Sequence, residues 1–350
     1  MTQSIKVGII GVSGYTGLEL LKLLLSHPIF ELCYVANTQG QAVIKDIHQM
    51  LYKTRFADLN VQVASAKIAA EQCEVIFLAL PHKSAMEMTR EILAYAAQVG
   101  KSIKIIDLSA DYRLSAKHYE ANYCPHIDKE NLAHAIYGLP EYNRALIKNA
   151  ALVANPGCYP TATLLGLLPF VPYINAREHV FIDAKSGVSG AGRSFSQNTH
   201  FSHINENLFS YSPLAHRHQI EIIEKCHTIG KAALKIHFVP HLLPITRGML
   251  VSVFATLHKP LSQQEAQQIL YEAYKNEPFV RICAQPVSIA HTAGSHFCDI
   301  FVATQDNALF ISSSIDNLLR GASSQALMNA NIMCGLDEGL GIPHIPYGLF

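Results

Sequence analysis

The first strand-to-helix junction of the chain reads KVGIIGVSGYTG and covers residues Lys6–Gly17. Lys6–Ile10 predicts a buried strand, and Tyr15–Ser26 continues with a helical apolar pattern. A glycine-rich turn in this place presents backbone N–H groups and a helix N-terminus to a dinucleotide pyrophosphate. The strict fingerprint has glycine where Ser13 and Thr16 stand, so the prediction depends on the place of the turn, and a plain turn is the alternative. The cofactor residues predicted here are Gly11, Ser13, Gly14, Tyr15, Thr16 and Gly17.

Strand-like and helix-like runs alternate through the first 150 residues. The further strands predicted are Glu31–Ala36, Val75–Leu80 and Ile103–Leu108, and Ser84–Gln98 is predicted as a helix. Strands separated by helices pair in parallel and form a doubly wound sheet. We therefore predict an α/β protein with a Rossmann-type dinucleotide-binding domain over residues 1–150.

The residues after the second predicted strand bear on the choice of dinucleotide. Ala36–Gln39 has no carboxylate, which an NAD enzyme places there to hold the ribose 2′-hydroxyl. This favours NADP(H), with Thr38 and Lys45 as the nearest candidates for the 2′-phosphate. Pro81 is predicted to contact the cofactor as well, because it follows a strand at the edge where open α/β sheets bind ligands.

Arg113 follows the strand Ile103–Leu108 at the same edge of the predicted sheet. Its guanidinium can bind a phosphate or carboxylate with two parallel hydrogen bonds. The alternative is a surface arginine that pairs with Asp111 or Glu120.

A second junction, ANPGCYPTAT at Ala154–Thr163, holds a cysteine in a tight turn. Ala151–Ala154 predicts a short strand, Pro-Gly is a turn signal, and Pro160 predicts a helix that starts near it. Cys158 then lies at a helix N-terminus, where backbone N–H groups and the helix dipole favour the thiolate and can hold an oxyanion. We predict Cys158 as a catalytic nucleophile, and a buried, inert thiol is the alternative.

The pattern changes after Cys158. The strands predicted there are Val180–Ala184, Lys235–Val239, Leu250–Leu257 and Ala308–Ser313, and Gln263–Tyr274 is predicted as an amphipathic helix. This favours an α+β domain with a mixed, largely antiparallel sheet over residues 151–314. A last helix, Leu318–Cys334, is expected to pack on the first domain, which residues 315–350 would complete.

Three polar stretches of the second half have the composition of binding loops. Lys185–Arg193 has three glycines and suits a close approach to a ligand or a flexible tip. His216–Glu221 offers an acid/base group beside charged anchors. Pro240–Gly248 holds an arginine that either orients an anion or shapes a turn. Zinc ligation by His200, His203, His216 and His218 is a weaker alternative because the spacings match no standard ligand pattern, and we predict no metal.

Composition narrows the class of ligand. The chain has 350 residues, of which 49% are hydrophobic, and 27 basic residues balance 27 acidic ones. This predicts a globular protein with a small-molecule substrate and no nucleic acid or membrane partner. Eight cysteines without a Cys-x-x-Cys pair argue against a zinc ribbon, a redox dithiol and a disulfide scaffold. Since no signal-like segment opens the chain and Pro169 and Pro172 break the longest apolar stretch, we expect a cytoplasmic protein.

These blocks together resemble the N-acetyl-γ-glutamyl-phosphate reductase family, within the aspartate-semialdehyde-dehydrogenase-like superfamily. The resemblance runs nearly end to end, and NPGCYPT at Asn155–Thr161 is its most specific part. The other blocks are Gly11–Gly17, Leu80–His82, Asp107–Arg113, Tyr137–Glu141, Lys185–Arg193, Asn205–Asn207, His216–His218, Pro240–Gly248 and Ile315–Glu338. The resemblance implies a homodimer or homotetramer that acts on an acyl phosphate with NADP(H).

The resemblance also implies roles for single residues. Cys158 attacks the acyl phosphate, and NADPH reduces the thioester to N-acetylglutamate 5-semialdehyde. Either His216 or His218 moves the proton. Because alternate residues of one helix cannot share a face, we expect only one of them to point at Cys158, and we assign this role to His216. The remaining assignments are Arg113, Ser189, Arg217 and Glu221 for the substrate, and Ser186, Gly187 and Asn317 for the cofactor.

Three positions depart from the family pattern. His203-Ile204 stands where the family has Glu-Ile or Glu-Val, and Ile220-Glu221 stands where it has Pro-Glu. Ala293–His296 replaces Arg-Gly-Ser-Asn, which leaves the role of residue 296 open. Two other functions are compatible with the sequence: a dehydrogenase for another acyl phosphate, such as aspartyl phosphate, and a non-catalytic NADP-binding sensor.

Overall fold

The computed structural model describes residues 4–347; residues 1–3 and 348–350, the outer ends of the predicted domains 1–150 and 315–350, lie outside the described part. The chain divides into two compact units. The N-terminal unit is Met1–Pro156 with Ala322–Ile342, and the central unit is Gly157–Gly321 with Pro343–Phe350. Along the described residues, no helix combines the length and the apolar character needed to cross a membrane.

The N-terminal unit contains an eight-stranded sheet with the order β3-β4-β2-β1-β5-β6-β8-β7. The strands are β1 (Ile5–Ile10), β2 (Phe30–Asn37), β3 (Ala42–Val43), β4 (Asn60–Val63), β5 (Val75–Leu78), β6 (Lys104–Asp107), β7 (Ile136–Tyr137) and β8 (Leu152–Ala154). All of its strand pairs are parallel except β3 with β4. The predicted doubly wound parallel sheet is therefore confirmed. Every residue of β5 is fully buried, as expected when helices cover both faces of a sheet.

Seven helices connect these strands. They are α1 (Tyr15–Ser26), α2 (Ile44–Ile47), α3 (Ala66–Gln72), α4 (Ser84–Gln98), α5 (Ala116–Asn122), α6 (Lys129–His134) and α7 (Pro140–Lys148). Apolar positions of α1 at helical spacing, Leu20, Leu21 and Leu24, are fully buried. This apolar face is the feature that makes the segment a helix packed on the sheet.

The central unit contains α8 (Cys158–Leu167), α9 (Phe201–Ile204), α10 (His218–Thr228) and α11 (Gln263–Tyr274). Its seven-stranded sheet has the order β10-β11-β9-β12-β15-β14-β13. The strands are β9 (His179–Gly187), β10 (Phe209–Ser210), β11 (Lys235–Leu243), β12 (Met249–Thr256), β13 (Val280–Ile282), β14 (Cys298–Gln305) and β15 (Ala308–Ile315). Only β9 with β11 and β13 with β14 pair in parallel, so the predicted largely antiparallel sheet is confirmed.

The two faces of this second sheet differ. Helix α8 packs on one face, where Gly166 approaches Ile311 of β15. Alternate residues of β9 are buried on that side, whereas Phe181 points to the other face and is 55% exposed. Phe254 of β12 pairs with Phe181 across the strands and is 49% exposed. The sheet therefore presents a partly apolar open face.

The last helix belongs to the N-terminal unit and is shorter than the predicted Leu318–Cys334. Leu319–Ser323 forms a π-helical turn, and α12 covers only Ser324–Met333. The helix ends because Gly335 adopts a left-handed conformation with φ of 70°, a common helix terminator. Asn329 of α12 donates a hydrogen bond to the Gly138 carbonyl, and Ser323 Oγ donates to the Thr16 carbonyl.

Candidate active site

Cys158 is the first residue of α8, and Gly157 is its extended N-cap. The helix begins two residues before Pro160, which its first turn tolerates because N–H groups there have no partner within the helix. The Cys158 side chain is half-buried. A Cβ atom on Gly321 would lie 2.6 Å from Cys158 Cβ, so only glycine lets that segment pass the cysteine. The predicted location of the thiol at a helix N-terminus is confirmed.

Glu221 is buried, with 2% of its surface exposed, and its Oε1 accepts a hydrogen bond from the Gly157 N–H at 3.0 Å. The carboxylate therefore fixes the backbone directly before the cysteine. We predicted Glu221 as a substrate anchor from the family resemblance, and the sequence did not reveal this contact. The two residues are 64 positions apart.

His216 and His218 lie together beside Tyr159. The centroid of each imidazole ring lies 5.8 Å from the centroid of the Tyr159 ring, and the two imidazole centroids are 4.8 Å apart. The premise that both lie on one helix is wrong, because α10 begins at His218 and His216 precedes the helix. Helical spacing therefore does not separate them.

The environment of His216 defines its protonation. Burial, aided by the charge of Arg217, lowers the pKa of His216 to about 4. Its Nδ1 accepts a hydrogen bond from the His218 backbone N–H at 3.1 Å. A neutral imidazole that accepts at Nδ1 carries its proton on Nε2. His216 is therefore a neutral N–H donor near neutral pH.

Two tyrosines complete this cluster, and the sequence analysis did not assign them. The Tyr211 hydroxyl donates to the Tyr159 hydroxyl at 3.1 Å, and the Tyr159 hydroxyl donates to the His241 carbonyl at 3.3 Å. Burial is the largest cause that raises the pKa of Tyr211 to about 12, and the Cys158 thiolate adds to it. The only sequence signal was that Tyr159 follows the cysteine.

Asn317 joins two loops of the central unit. Its Nδ2 donates to Ser189 Oγ at 2.9 Å, and its Oδ1 accepts from the Gly248 N–H at 2.7 Å. The glycine-rich segment is less of a loop than predicted, because β9 continues to Gly187 and Val188–Ala191 is a 3-10 turn. The oxygen of Ser189 and both ends of the Asn317 amide thus bond to protein groups.

His296 is fully buried and its Nε2 lies 2.5 Å from Arg320 Nη1. Burial and the Arg320 charge hold the pKa of His296 well below its usual range, so the neutral ring accepts a hydrogen bond from Arg320. The position that the family pattern left open therefore has a structural partner.

The glycine-rich turn of the N-terminal unit has the shape of a phosphate cradle. Gly11 has φ of 97°, and a Cβ there would lie 2.2 Å from the Ala79 carbonyl oxygen. A Cβ on Gly17 would lie 2.6 Å from the Gly11 carbonyl oxygen. Gly14 is the N-cap of α1, and a Cβ there would meet only the Gly11 carbonyl oxygen, at 3.8 Å. The glycines thus let the turn fold tightly before α1, which is the arrangement in which backbone N–H groups and a helix N-terminus meet a dinucleotide pyrophosphate.

Asn37 occupies the end of β2 and supports this turn. Its Nδ2 donates to Ser13 Oγ at 2.9 Å, and its Oδ1 accepts from the N–H groups of Gln39 and Gly40. The two residues predicted to bind the 2′-phosphate differ in their surroundings. Thr38 is exposed, whereas Lys45 Nζ forms an ion pair with Asp58 Oδ1 at 2.6 Å. Pro81 is exposed after β5.

Arg113 is buried, with 6% exposure, so the surface alternative is wrong. Its Nε donates to the Asn155 carbonyl and its Nη2 donates to the Leu108 carbonyl, both at 2.7 Å. Asp111, offered as its partner, accepts from the backbone N–H groups of Lys83 and Met86. The guanidinium is thereby anchored to the ends of β6 and β8.

The histidine set considered for zinc does not assemble. His200 and His203 are exposed near α9, whereas His216 and His218 pack on Tyr159. Within residues 4–347, no group of three or more histidine, cysteine, aspartate or glutamate side chains is placed to hold a metal ion.

Comparison with known proteins defines the class. Residues 6–150 match the family model described as "Semialdehyde dehydrogenase, NAD binding domain", and residues 158–317 match "Semialdehyde dehydrogenase, dimerisation domain". Aspartate semialdehyde dehydrogenase II from Vibrio cholerae has a similar fold, with a TM-score of 0.69, 15% identity and coverage of 95% of this chain and 99% of that one. The enzyme from Candida albicans, solved with NADP, gives a TM-score of 0.68 at 15% identity over 95% and 99% of the two chains. The fold is therefore that of a semialdehyde dehydrogenase.

Sequence relatives narrow this class. N-acetyl-gamma-glutamyl-phosphate reductase from Wolinella succinogenes is 58% identical and covers 99% of both chains. The reductase of a Sulfurovum species is 53% identical, over 98% of this chain and 99% of its own length. The reductase of Geobacter sulfurreducens is 40% identical, over 97% of this chain and 98% of its own length. The chain belongs to the N-acetyl-γ-glutamyl-phosphate reductase family. The predicted fold class, the oxidoreductase class and the use of NADP(H) are thus confirmed.

Proposed function

We propose that the protein reduces N-acetyl-γ-glutamyl phosphate to N-acetylglutamate 5-semialdehyde with NADPH, through a thioester on Cys158. The observation that carries the proposal is the half-buried cysteine at the start of α8, beside Tyr159, in a chain 58% identical to a reductase of that name. The first N–H groups of α8 and the helix dipole favour the Cys158 thiolate.

The reaction begins when the Cys158 thiolate attacks the acyl carbonyl and phosphate leaves. NADPH, when bound, supplies the hydride that reduces the thioester. The carbonyl oxygen becomes negatively charged in both steps, and backbone N–H groups in the first turn of a helix are suited to hold it. Collapse of the thiohemiacetal then releases the aldehyde and restores the thiolate.

His216 is the group we assign to the proton. A neutral imidazole with its proton on Nε2 can donate a hydrogen bond, and then the proton, to an oxygen that gains negative charge. His218 stays the alternative because its ring lies equally close to Tyr159. Arg217, Ser189 and Glu221 on the substrate, and Arg113 on the phosphate, remain proposals from the family resemblance.

On the cofactor side, NADPH is expected to be preferred over NADH because the residues after β2 include no carboxylate that would repel a 2′-phosphate. Gly11, Ser13, Gly14, Tyr15, Thr16 and Gly17 would surround the pyrophosphate. Thr38, Pro81, Ser186, Gly187 and Asn317 complete the proposed cofactor set.

The open face of the central sheet is the surface we assign to a homodimer or homotetramer. Phe181 and Phe254 give it exposed apolar area, and the matching family model is described as a dimerisation domain. Phe181→Glu should shift the mass in sedimentation velocity towards the monomer, while Tyr271→Glu, at an exposed position of α11, should not. An unchanged mass for Phe181→Glu would reject this face. We expect this assembly in the cytoplasm.

An assay of NADPH oxidation tests the activity. N-acetylglutamyl phosphate should support turnover, aspartyl phosphate should not, and Cys158→Ser should lose activity by far more than about tenfold, or about 1.4 kcal/mol of barrier. Turnover with aspartyl phosphate alone would favour the other dehydrogenase. Cofactor binding without turnover on either substrate would favour a sensor.

A further inference from the structure

Two thiols outside the candidate active site lie against each other in the N-terminal unit. Cys33 belongs to β2, and Cys73 follows the last residue of α3. Their Sγ atoms are 3.7 Å apart and both cysteines are free thiols. A disulfide needs about 2.05 Å between its sulfurs, so an approach of about 1.7 Å would join them.

A β-bulge brings the first thiol to this position. The pairing of β1 with β2 passes from Val7 with Leu32 directly to Gly8 with Tyr34, so Cys33 is an extra residue without a partner in the register. Such a bulge redirects the side chain of the extra residue. Cys33 Sγ accordingly lies within 3.5 Å of the Gln72 carbonyl oxygen at the end of α3.

Gly8 provides the space for the second thiol. A Cβ atom on Gly8 would lie 2.7 Å from Cys73 Sγ, closer than such atoms approach in proteins. The bulge and the glycine thus act on the two sides of one contact, and each is needed for the sulfurs to meet.

The two thiols differ in access and in acidity. Cys33 is half-buried and Cys73 is fully buried, so a small solute can reach only the first. The contact with the Cys73 thiol is the largest influence on the pKa of Cys33 and lowers it; burial opposes this, Lys6 lowers the pKa further and Glu31 opposes it. The same contact raises the pKa of Cys73. Because Cys33 is the accessible thiol, it is the one that an oxidant meets first, and Cys73 lies behind it as the second thiol.

We propose that Cys33 and Cys73 form a hydroperoxide-reactive pair that closes reversibly to a disulfide. The Cys33 thiol loses its proton, and the thiolate attacks one peroxide oxygen. The O–O bond breaks, Cys33 becomes a sulfenic acid, and the hydroxide that leaves takes up the Cys33 proton to form the first water. The Cys73 sulfur then attacks the Cys33 sulfur, the S–O bond breaks, and a second water forms with the Cys73 proton. The two sulfurs together lose two electrons, and hydrogen peroxide is reduced to two waters.

The pairing also limits damage to Cys33. A sulfenic acid that meets no second thiol is oxidised further to the sulfinic acid, which thiol reductants do not reverse. Cys73 is close enough to intercept it first. The proposal concerns the N-terminal unit alone and is independent of the function assigned to Cys158.

Peptide mapping of the full-length protein after hydrogen peroxide treatment tests the pair. We expect a peptide that joins residues 33 and 73 with the loss of two hydrogen atoms, and its disappearance on reduction with dithiothreitol. In Cys73→Ala, Cys33 should instead gain two oxygen atoms, a mass that dithiothreitol does not remove. Cys283→Ala, at another half-buried thiol, is the matched control and should keep the joined peptide.

The wild-type map alone decides the matter if a variant folds poorly. The proposal would be overturned if Cys33 is oxidised by hydrogen peroxide but no joined peptide forms. It would also be overturned if no joined peptide forms and Cys33 is no more reactive towards hydrogen peroxide than Cys283. A Cys73→Ala protein in which Cys33 still returns fully to the thiol on reduction would also overturn the protective role of Cys73.

Discussion

Glu221 holds the backbone N–H of Gly157 at 3.0 Å, immediately before the nucleophilic cysteine of α8. A buried carboxylate that accepts from a backbone N–H is a strong, charge-assisted contact. It also adds negative charge near a helix end that favours the thiolate, so it orients Cys158 at some electrostatic cost. We therefore propose that Glu221 positions Cys158, in addition to any contact with the substrate.

Replacing Glu221 should separate these two roles. In Glu221→Ala the Gly157 N–H loses its acceptor, and we expect turnover to fall by about 10- to 100-fold, which corresponds to about 1.4–3 kcal/mol. Glu221→Gln keeps an oxygen acceptor for the Gly157 N–H and should retain most of the turnover. The second measurement is the rate at which iodoacetamide alkylates Cys158 without substrate. Alkylation equal in wild type and Glu221→Ala, with only KM raised, would leave Glu221 as a substrate anchor alone.

The protonation of His216 predicts the acid side of the pH profile. Because its pKa is lowered to about 4, His216 stays neutral where an ordinary histidine becomes charged. We expect kcat/KM to stay level as pH falls through about 6.5, the usual histidine pKa. Arg217→Gln removes a charge that lowers this pKa, so it should move the acid limb to higher pH. Arg177→Gln, an exposed arginine outside this cluster, is the control.

A profile that falls at an ordinary histidine pKa and is unchanged by Arg217→Gln would contradict the assignment of His216. His218 would then be the group to replace first.

Cofactor choice gives a third prediction, at the exposed residue Thr38. Thr38→Asp places a carboxylate where it repels a 2′-phosphate and accepts from a ribose hydroxyl. We expect the KM for NADPH to rise by about tenfold or more, the scale of about 1.5–3 kcal/mol for a hydrogen bond to a charge, and NADH to become the better cofactor. Thr38→Asn, without the charge, should change the ratio little. Equal use of both cofactors by the unaltered protein would refute the preference.

The sequence predicted long periodic elements well. Tyr15–Ser26, Ser84–Gln98 and Gln263–Tyr274 are helices with the predicted bounds, because an apolar stripe at helical spacing marks both ends. Strand β14, Cys298–Gln305, was missed, since its apolar core is short and followed by polar residues. The two-residue strands β3 and β10 have too few residues for any period to appear.

The parts of the candidate site that were predicted from the sequence are those whose residues lie close together along the chain. Cys158 and the glycine turn were recognisable because strand, turn and helix follow one another within a few residues. The contact of Glu221 with Gly157 and the bonds of Asn317 to Ser189 and Gly248 were not, because folding joins distant segments.

Asp107 gives the last prediction, on stability rather than activity. It is fully buried at the end of β6, where Oδ1 accepts from the Ser109 N–H and Oδ2 from the Ser109 hydroxyl. Burial, helped by the charge of Asp111, raises the pKa of Asp107 to about 7. The unfolded chain ionises this group near about 3.9, so between these values the folded state holds a proton that the unfolded state has lost. The free energy of unfolding should therefore fall as pH rises through this window and level off above about 7.

Asp107→Asn keeps the shape and an oxygen acceptor but cannot titrate, so the contribution of this residue to the slope should disappear. Urea unfolding at several pH values between about 5 and 8 measures the difference between the two proteins, which cancels the titration of other groups. We expect the variant to gain stability relative to wild type as pH rises, because it lacks the cost of burying a charge near Asp111. Parallel curves for the two proteins would mean that Asp107 stays ionised in the fold, with Arg113, whose charge lowers its pKa, as the stronger influence.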